Sequence, residues 1–224
     1  MIDTIFVPRG AEERAVRKAL ARAGCPVRVV VSGIGPLAGE RAAREALAGP
    51  TLDAALVTGL CGVLSPAFAV GETLVYGELA HANEPTFFLD RALSGRVAER
   101  LPSAQTGIRG LGSDRVVTTA REKLRLGARY HAQAVDMESR AIAKRLQARR
   151  VAVCVARVAS DGAFDDLPDL DMALDGSGGI DRFALVLAML RRPLAGGRLA
   201  RNGSRALAAL EQTVYAIVST TTPP

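Results

Sequence analysis

Strands alternating with helices along most of the chain, glycine turns where the strands end, and one long buried strand near residue 155 predict an α/β protein. The expected architecture is a three-layer α/β/α sandwich around a mixed, largely parallel central sheet. Residues 4–7 are apolar and short, Pro8-Arg9-Gly10 closes them, and 11–23 have helical composition. The pattern repeats: 27–31 read as a strand, Ser32-Gly33-Ile34-Gly35-Pro36 as a turn, and a helix runs to about residue 48 with Leu37, Ala43 and Leu47 facing inward. Residues 54–58 are small and β-branched, as a doubly covered strand requires, and exit into Gly59-Leu60-Cys61-Gly62. A strand over 71–76, a helix over 89–100 and a strand over 106–111 follow, then a helix of basic and apolar residues over 120–128. Ala134-Val135-Asp136-Met137-Glu138 opens a helix that runs to residue 147, with Ile142 and Leu146 one turn apart. Residues 151–158 form the clearest buried strand and exit into Ser160-Asp161-Gly162; the C-terminal third is mostly helical.

The 224 residues suit one large domain, 1–224, with an arginine-rich helical segment at about 180–216. A content of 49% hydrophobic and 23% charged residues is that of a soluble globule and excludes a disordered or fibrous chain. The longest apolar run, 183–190, has eight residues against the roughly 20 that a bilayer requires. Asp3 stands where a secretory signal carries bases, which predicts a cytoplasmic protein. The net charge of +6 comes from the C-terminal segment, where Arg182, Arg191, Arg192, Arg198, Arg201 and Arg205 occur without an acid before residue 211. A pI of about 9.8 raises nucleic-acid binding, but six Phe, three Tyr and no Trp leave few stacking platforms, so no nucleic acid is expected. Cys25, Cys61 and Cys154 fit neither a disulfide framework nor a zinc ribbon, and His81 with His131 cannot build a histidine metal centre; no metal and no cofactor are expected.

Gly33-Ile34-Gly35-Pro36-Leu37-Ala38 matches G-x-G-x-x-A, but Asp53 precedes the next strand instead of ending it, so the segment reads as a packing turn. The acidic run Asp165-Asp166-Leu167-Pro168-Asp169-Leu170-Asp171 reaches Ile180 where a calcium loop needs Glu, and reads as a solvated loop. Asp161 is different. It follows a strand that is apolar apart from Arg157, which predicts a carboxyl of raised proton affinity, a candidate general acid. Glu138 opens a helix beside the Met137 thioether, a pairing suited to a sugar diol on an apolar surface.

Four blocks carry a family resemblance: Ser32-Gly33-Ile34-Gly35; Thr58-Gly59-Leu60-Cys61-Gly62-Val63-Leu64 with Val70-Gly71-Glu72; Val135-Asp136-Met137-Glu138-Ser139; and Val158-Ala159-Ser160-Asp161. Over residues 4–162 they resemble, in order, the purine nucleoside phosphorylase and methylthioadenosine/adenosylhomocysteine nucleosidase superfamily. The tail from Asp166-Leu167-Pro168 through Leu190-Arg191-Arg192-Pro193 to Ala208-Ala209-Leu210 further resembles the hopanoid-associated branch that acts on adenosylhopane. The resemblance implies cleavage of a purine N-glycosidic bond with release of adenine, by phosphorolysis or hydrolysis, without a cofactor and with inorganic phosphate as the alternative co-substrate to water. It implies that Asp161 serves N7 of the base, that Glu138 and Met137 hold the ribose, and that Val116, Val117 and Ser160 face the base. Glu13, or its neighbour Glu12, falls near the acid that activates water, and Gly59, Leu60, Cys61, Gly62 and Arg9 form the nucleophile or phosphate loop, with backbone N–H groups as an anion nest. A homo-oligomer is also implied.

Two departures keep alternatives open. The first loop, Pro8-Arg9-Gly10, differs from the nucleosidase pattern, and Leu60 stands where many relatives have Ser, removing a hydroxyl ligand for phosphate or water. A non-catalytic nucleoside-binding sensor of the same fold is therefore the second reading. Leu185, Val186 and Met189 beside Arg191 and Arg192 suit either a core helix or a peripheral contact with anionic lipid, through which a membrane-linked adenosyl nucleoside would be reached.

Overall fold

The computed structural model describes residues 2–167 and 193–219. The expected segment 183–190, Arg182, Arg191, Arg192 and the acidic run beyond Leu167 lie outside these residues, and with them the proposed lipid contact. Among the described residues no helix is long and apolar enough to cross a membrane.

The order is β1 (Thr4–Pro8), α1 (Ala11–Ala23), β2 (Arg28–Ser32), α2 (Pro36–Leu47), β3 (Ala54–Val63), β4 (Thr73–Ala80), β5 (Phe87–Phe88), α3 (Arg91–Glu99), β6 (Gln105–Gly112), α4 (Ala120–Tyr130), β7 (Ala134–Asp136), α5 (Ser139–Gln147), β8 (Ala152–Asp161) and α6 (Pro193–Val218). The helices start and stop where local chemistry directs. In α1, Glu12 and Glu13 occupy the first turn, where the helix dipole favours acids, and Gly24 at φ 62° caps the last. Pro36 opens α2, and the side chains of Asp90 and Thr119 cap α3 and α4 by accepting from Leu93 and Glu122 N–H groups.

Among the described residues the strands make one mixed eight-stranded sheet in the order β2-β1-β3-β7-β6-β4-β5, with β8 paired to both β3 and β4. β1, β2, β3 and β8 run parallel; β4 is antiparallel to β8, and β7 is antiparallel to β3. Because β6 joins β4 to β7, the strands β3, β8, β4, β6 and β7 close into a ring. Period-two alternation sends one set of side chains to each helical layer. Phe6, Ala55, Val57, Val153 and Val155 pack with Ala43 and Ala46 of α2 and with Ile142, Ala143 and Leu146 of α5. Ile5, Val7, Leu56, Cys154 and Ala156 pack with Val16 and Leu20 of α1, Leu93 and Val97 of α3, and Leu210 and Val214 of α6. Each fully buried aliphatic side chain contributes roughly 1.5–3 kcal/mol, so these two faces hold the sandwich together.

Two expectations are corrected. Leu37 is not inward but 78% exposed, because the buried face of the helix is the one that carries Gly39, Ala42, Ala43 and Ala46. Strand β3 does not end at residue 58. It continues through Gly59-Leu60-Cys61-Gly62 to Val63, since β8 pairs with it from Ala54↔Ala152 to Gly62↔Asp161 and β7 then takes over at Gly62↔Val135. Arg201 and Arg205 are exposed on α6.

Ring closure leaves no room at Gly110, where a Cβ would overlap the fully buried Tyr76 ring. Gly110→Ala is expected to lower the free energy of unfolding in urea by roughly 1–3 kcal/mol, and adding Tyr76→Leu should recover part of that loss.

Candidate active site

The ends of β1, β3, β7 and β8 converge on a cavity of about 200 Å³ whose lining includes Glu12, Leu60, Cys61, Gly62, Val116, Val117, Asp136, Met137, Glu138, Ser160 and Asp161. Crevices beyond strand ends are where open α/β sheets bind ligands. Glu138 and Asp161, each about 5% exposed, share this one cavity.

Arg157, in the middle of β8 and fully buried, holds the lining residues Leu60, Asp136 and Glu138. Its Nε donates to Ser139 Oγ at 2.9 Å, Nη1 to the Leu60 carbonyl at 3.3 Å, and Nη2 to Asp136 Oδ1 and Glu138 Oε2, each at 3.2 Å. Burial by itself would weaken the guanidinium's hold on its proton, but the Asp136 and Glu138 carboxylates outweigh it and tighten that hold. Asp136 Oδ1 also accepts the N–H groups of Glu138 and Ser139 at 3.1 and 2.7 Å, so the residue ending β7 caps the start of α5. Glu138 is then fixed from the other side: its Oε1 accepts the Gly35 N–H at 2.9 Å. The Ser32-to-Pro36 turn therefore acts as a ligand to the Glu138 carboxylate, with Gly35 at φ 94°. Burial raises the Glu138 carboxyl's proton affinity, and Asp136 adds to this, against Arg157 and the Gly35 amide.

Glu12 reaches the same site from the first turn of α1, and its Oε1 accepts the Leu60 N–H at 2.7 Å. Burial, reinforced by the Glu138 and Asp136 charges, pushes its pKa up to about 7, against the Leu60 amide and Arg157. Gly59, at φ 137°, makes this approach possible: a Cβ there would lie 2.6 Å from Glu12 Oε1 and 2.7 Å from Arg157 Nη1. Asp161 also lines the cavity. Its Oδ2 is 2.5 Å from Lys123 Nζ, and its Oδ1 accepts from Ser160 Oγ at 2.7 Å. The carboxyl thus stands in an ion pair and is not the isolated acid that the apolar strand suggested.

Three further expectations change. Glu13 points away from the cavity and pairs with Arg17 at 2.8 Å, so the acid of the first loop that faces the site is Glu12; one residue along a helix rotates a side chain by about 100°. Gly59, Leu60, Cys61 and Gly62 form no anion nest, because they are extended ladder and the Leu60 amide is committed to Glu12. Arg9 is exposed and outside the cavity lining. Met137, Glu138, Val116, Val117, Ser160 and Asp161 are brought together. Burial, with the nearby Asp136 charge, drives the Cys61 thiol upward, so it is no nucleophile.

Sequence reasoning assigned no role to Arg157, Asp136 or Lys123. Arg157 had a signal, a lone cation in an apolar strand four residues before Asp161. Lys123 had none, since Arg121, Arg125 and Arg129 on the same helix are exposed.

A carboxylate-lined cavity at the strand ends of a mixed-sheet sandwich defines an enzyme acting on a small molecule. The chain belongs to the Phosphorylase superfamily, whose family model matches residues 2–190. No curated protein matches it. Among solved structures it is similar to the Neisseria meningitidis 5′-methylthioadenosine/S-adenosylhomocysteine nucleosidase in complex with methylthio-immucillin-A, at 18% identity and TM-score 0.73, covering 98% of this chain and 100% of that one. A mutant Helicobacter pylori nucleosidase with 5′-methylthioadenosine in its active site is 15% identical, with TM-score 0.72 and 97% and 98% coverage. Helicobacter pylori futalosine hydrolase is 15% identical, with TM-score 0.69 and the same coverage. At these identities the likeness is one of fold.

Arg157→Met strands two buried carboxylates, which costs about 3–5 kcal/mol. The folded state then holds carboxyl protons that the unfolded chain has released, so stability falls as pH rises. Denaturant unfolding should show a larger loss at pH 8 than at pH 5.5.

Proposed function

We propose that this enzyme hydrolyses the N-glycosidic bond of an adenosyl nucleoside, releasing adenine and a ribose with a free anomeric hydroxyl. The observation that carries the reading is Glu12, a buried carboxyl with a pKa of about 7 in one cavity with Glu138 and Asp161. A general base works best when its pKa lies near the working pH. The purine faces the Val116–Val117 segment, with Asp161 and Ser160 toward N7. Glu138 retains lone pairs for the ribose hydroxyls after its bonds to Gly35 and Arg157, and Met137 supplies the apolar floor. As the bond to N9 lengthens, positive charge grows on the sugar beside Glu138 and Asp136, which stabilise it. Glu12 takes the proton of the attacking water.

Charge favours water over phosphate. Glu12, Asp136 and Glu138 surround a single guanidinium, and each unit like-charge pair at 4 Å costs roughly 4 kcal/mol at an effective dielectric of about 20. The names of the nucleosidases and of futalosine hydrolase point the same way.

For the 5′ substituent, we place it toward a hollow of about 470 Å³ that shares Met137 with the cavity and is edged by Leu37. Adenosylhopane is the narrower substrate we propose, supported by the resemblance of the C-terminal segment and by the exposed Leu37 and Phe164.

Incubation with adenosyl nucleosides, with and without phosphate, should yield adenine and free ribose at equal rates; ribose 1-phosphate as the product would overturn hydrolysis. Protonated Glu12 cannot accept the water's proton, so kcat/KM should fall about tenfold per pH unit well below pH 7. Glu12→Gln should lower the rate by about 10²–10⁴-fold and remove that limb. Asp161→Asn should lose about 10²-fold or more in adenine release; an unchanged rate would remove its role.

A further inference from the structure

Lys123 is the one buried residue of α4 and is fully enclosed. Its ammonium spends all three N–H groups, on Asp161 Oδ2 at 2.5 Å, the Gly162 carbonyl at 3.0 Å and the Asp165 carbonyl at 2.9 Å. A cation is expensive to bury, and solvent would serve it better if it only tied a loop down. The loop is already tied by other bonds: Leu167 N–H to the Thr118 carbonyl at 2.7 Å, Ala120 N–H to Asp166 Oδ1 at 2.8 Å, and Gly162 N–H to Asp165 Oδ2 at 2.9 Å. What Lys123 adds is a proton beside the carboxylate that faces the leaving group.

We propose that the proton neutralising the departing purine is delivered from Lys123 through Asp161, with Lys123 as the positioning residue and proton store. The inference rests on the adenine-releasing reading. As the C1′–N9 bond breaks, its electron pair passes into the purine ring. Lys123 Nζ passes its proton to the Asp161 carboxylate, which hands that proton on to N7, leaving a neutral amine beside a carboxylate. On the other side Glu12 gains the proton of the attacking water. After release, Glu12 returns one proton to solvent and the Lys123–Asp161 pair recovers one through the emptied cavity, so the cycle balances. A departing purine anion is basic enough to draw on an amine, and lysine, unlike arginine, can give its proton up.

The test compares two leaving groups on one enzyme. An adenosyl nucleoside needs the proton; para-nitrophenyl β-D-ribofuranoside does not, because nitrophenolate leaves as a stable anion. Lys123→Arg keeps the charge and removes the donor. Its kcat/KM on the adenosyl nucleoside is expected to fall by about 100-fold or more, as loss of a general acid does, while the nitrophenyl riboside stays within about threefold of wild type. Equal losses on both substrates, or none on either, would overturn the proposal in favour of a structural role. The wild-type enzyme supplies a measurement independent of the variant's folding. Its rate against the deuterium fraction of the solvent should be bowed for the adenosyl substrate, with the leaving-group proton and the attacking water's proton both in flight, and straighter for the nitrophenyl riboside, which needs only the second. Identical curvature overturns the relay. Wild-type enzyme that frees no adenine at all would instead sink the hydrolase reading and the relay with it, an outcome visible before any variant is made.

Discussion

Arg157 occupies a place where a strand normally puts a valine, and the site is arranged around that substitution. Its guanidinium reaches Asp136, Glu138, Ser139 and the Leu60 carbonyl, tying the end of β7, the start of α5 and the second half of β3 to the middle of β8. An unpaired guanidinium inside a protein is costly, and so is each unpaired carboxylate, so the elements that bring these charges in are held to one arrangement. The acids outnumber the cation. The resulting excess of negative charge, together with burial, keeps the Glu12 proton exchangeable near neutrality.

The sheet makes that arrangement possible by closing on itself. In an open parallel sheet, β3 would end at its first glycine and the residues beyond would be a loop. Here β8 and then β7 continue to pair with it, with a break in register between Cys61 and Gly62 where the second partner takes over. Gly59 sits where Glu12 and Arg157 both press on the strand, and no side chain fits between them. The same closure threads Tyr76 under Gly110. Glycines that look like turn signals in the sequence are thus sites of close approach.

Two groups of charges at the cavity are held differently. Around Arg157 three carboxylates share one arginine; at Asp161 one carboxylate has a lysine to itself, with carbonyl oxygens filling the other ammonium positions. The first group is short of positive charge and the second is balanced by it, and these are the opposite proton affinities that the proposed hydrolysis draws on.

Much of this was legible in the sequence because it is local. Helix α1 falls on residues 11–23 as composition and the Gly10 and Gly24 boundaries require, the long apolar run of β8 is unmistakable, and Met137-Glu138 and Ser160-Asp161 announce polar chemistry at strand ends. The periodicity that separates strand from helix acts over a few residues and can be read from them. What tertiary structure alone decided is which charges meet. Glu12 faces the cavity and Glu13 does not because of the rotation of α1 on the sheet; Gly59 to Gly62 is strand because β8 and β7 pair with it; Lys123 is buried while Arg121 and Arg125 are exposed because the loop after Asp161 folds over one point of α4. Electrostatic energy depends on separation in space, and partners such as Lys123 and Asp161, 38 residues apart along the chain, leave no trace of their distance in the order of the residues.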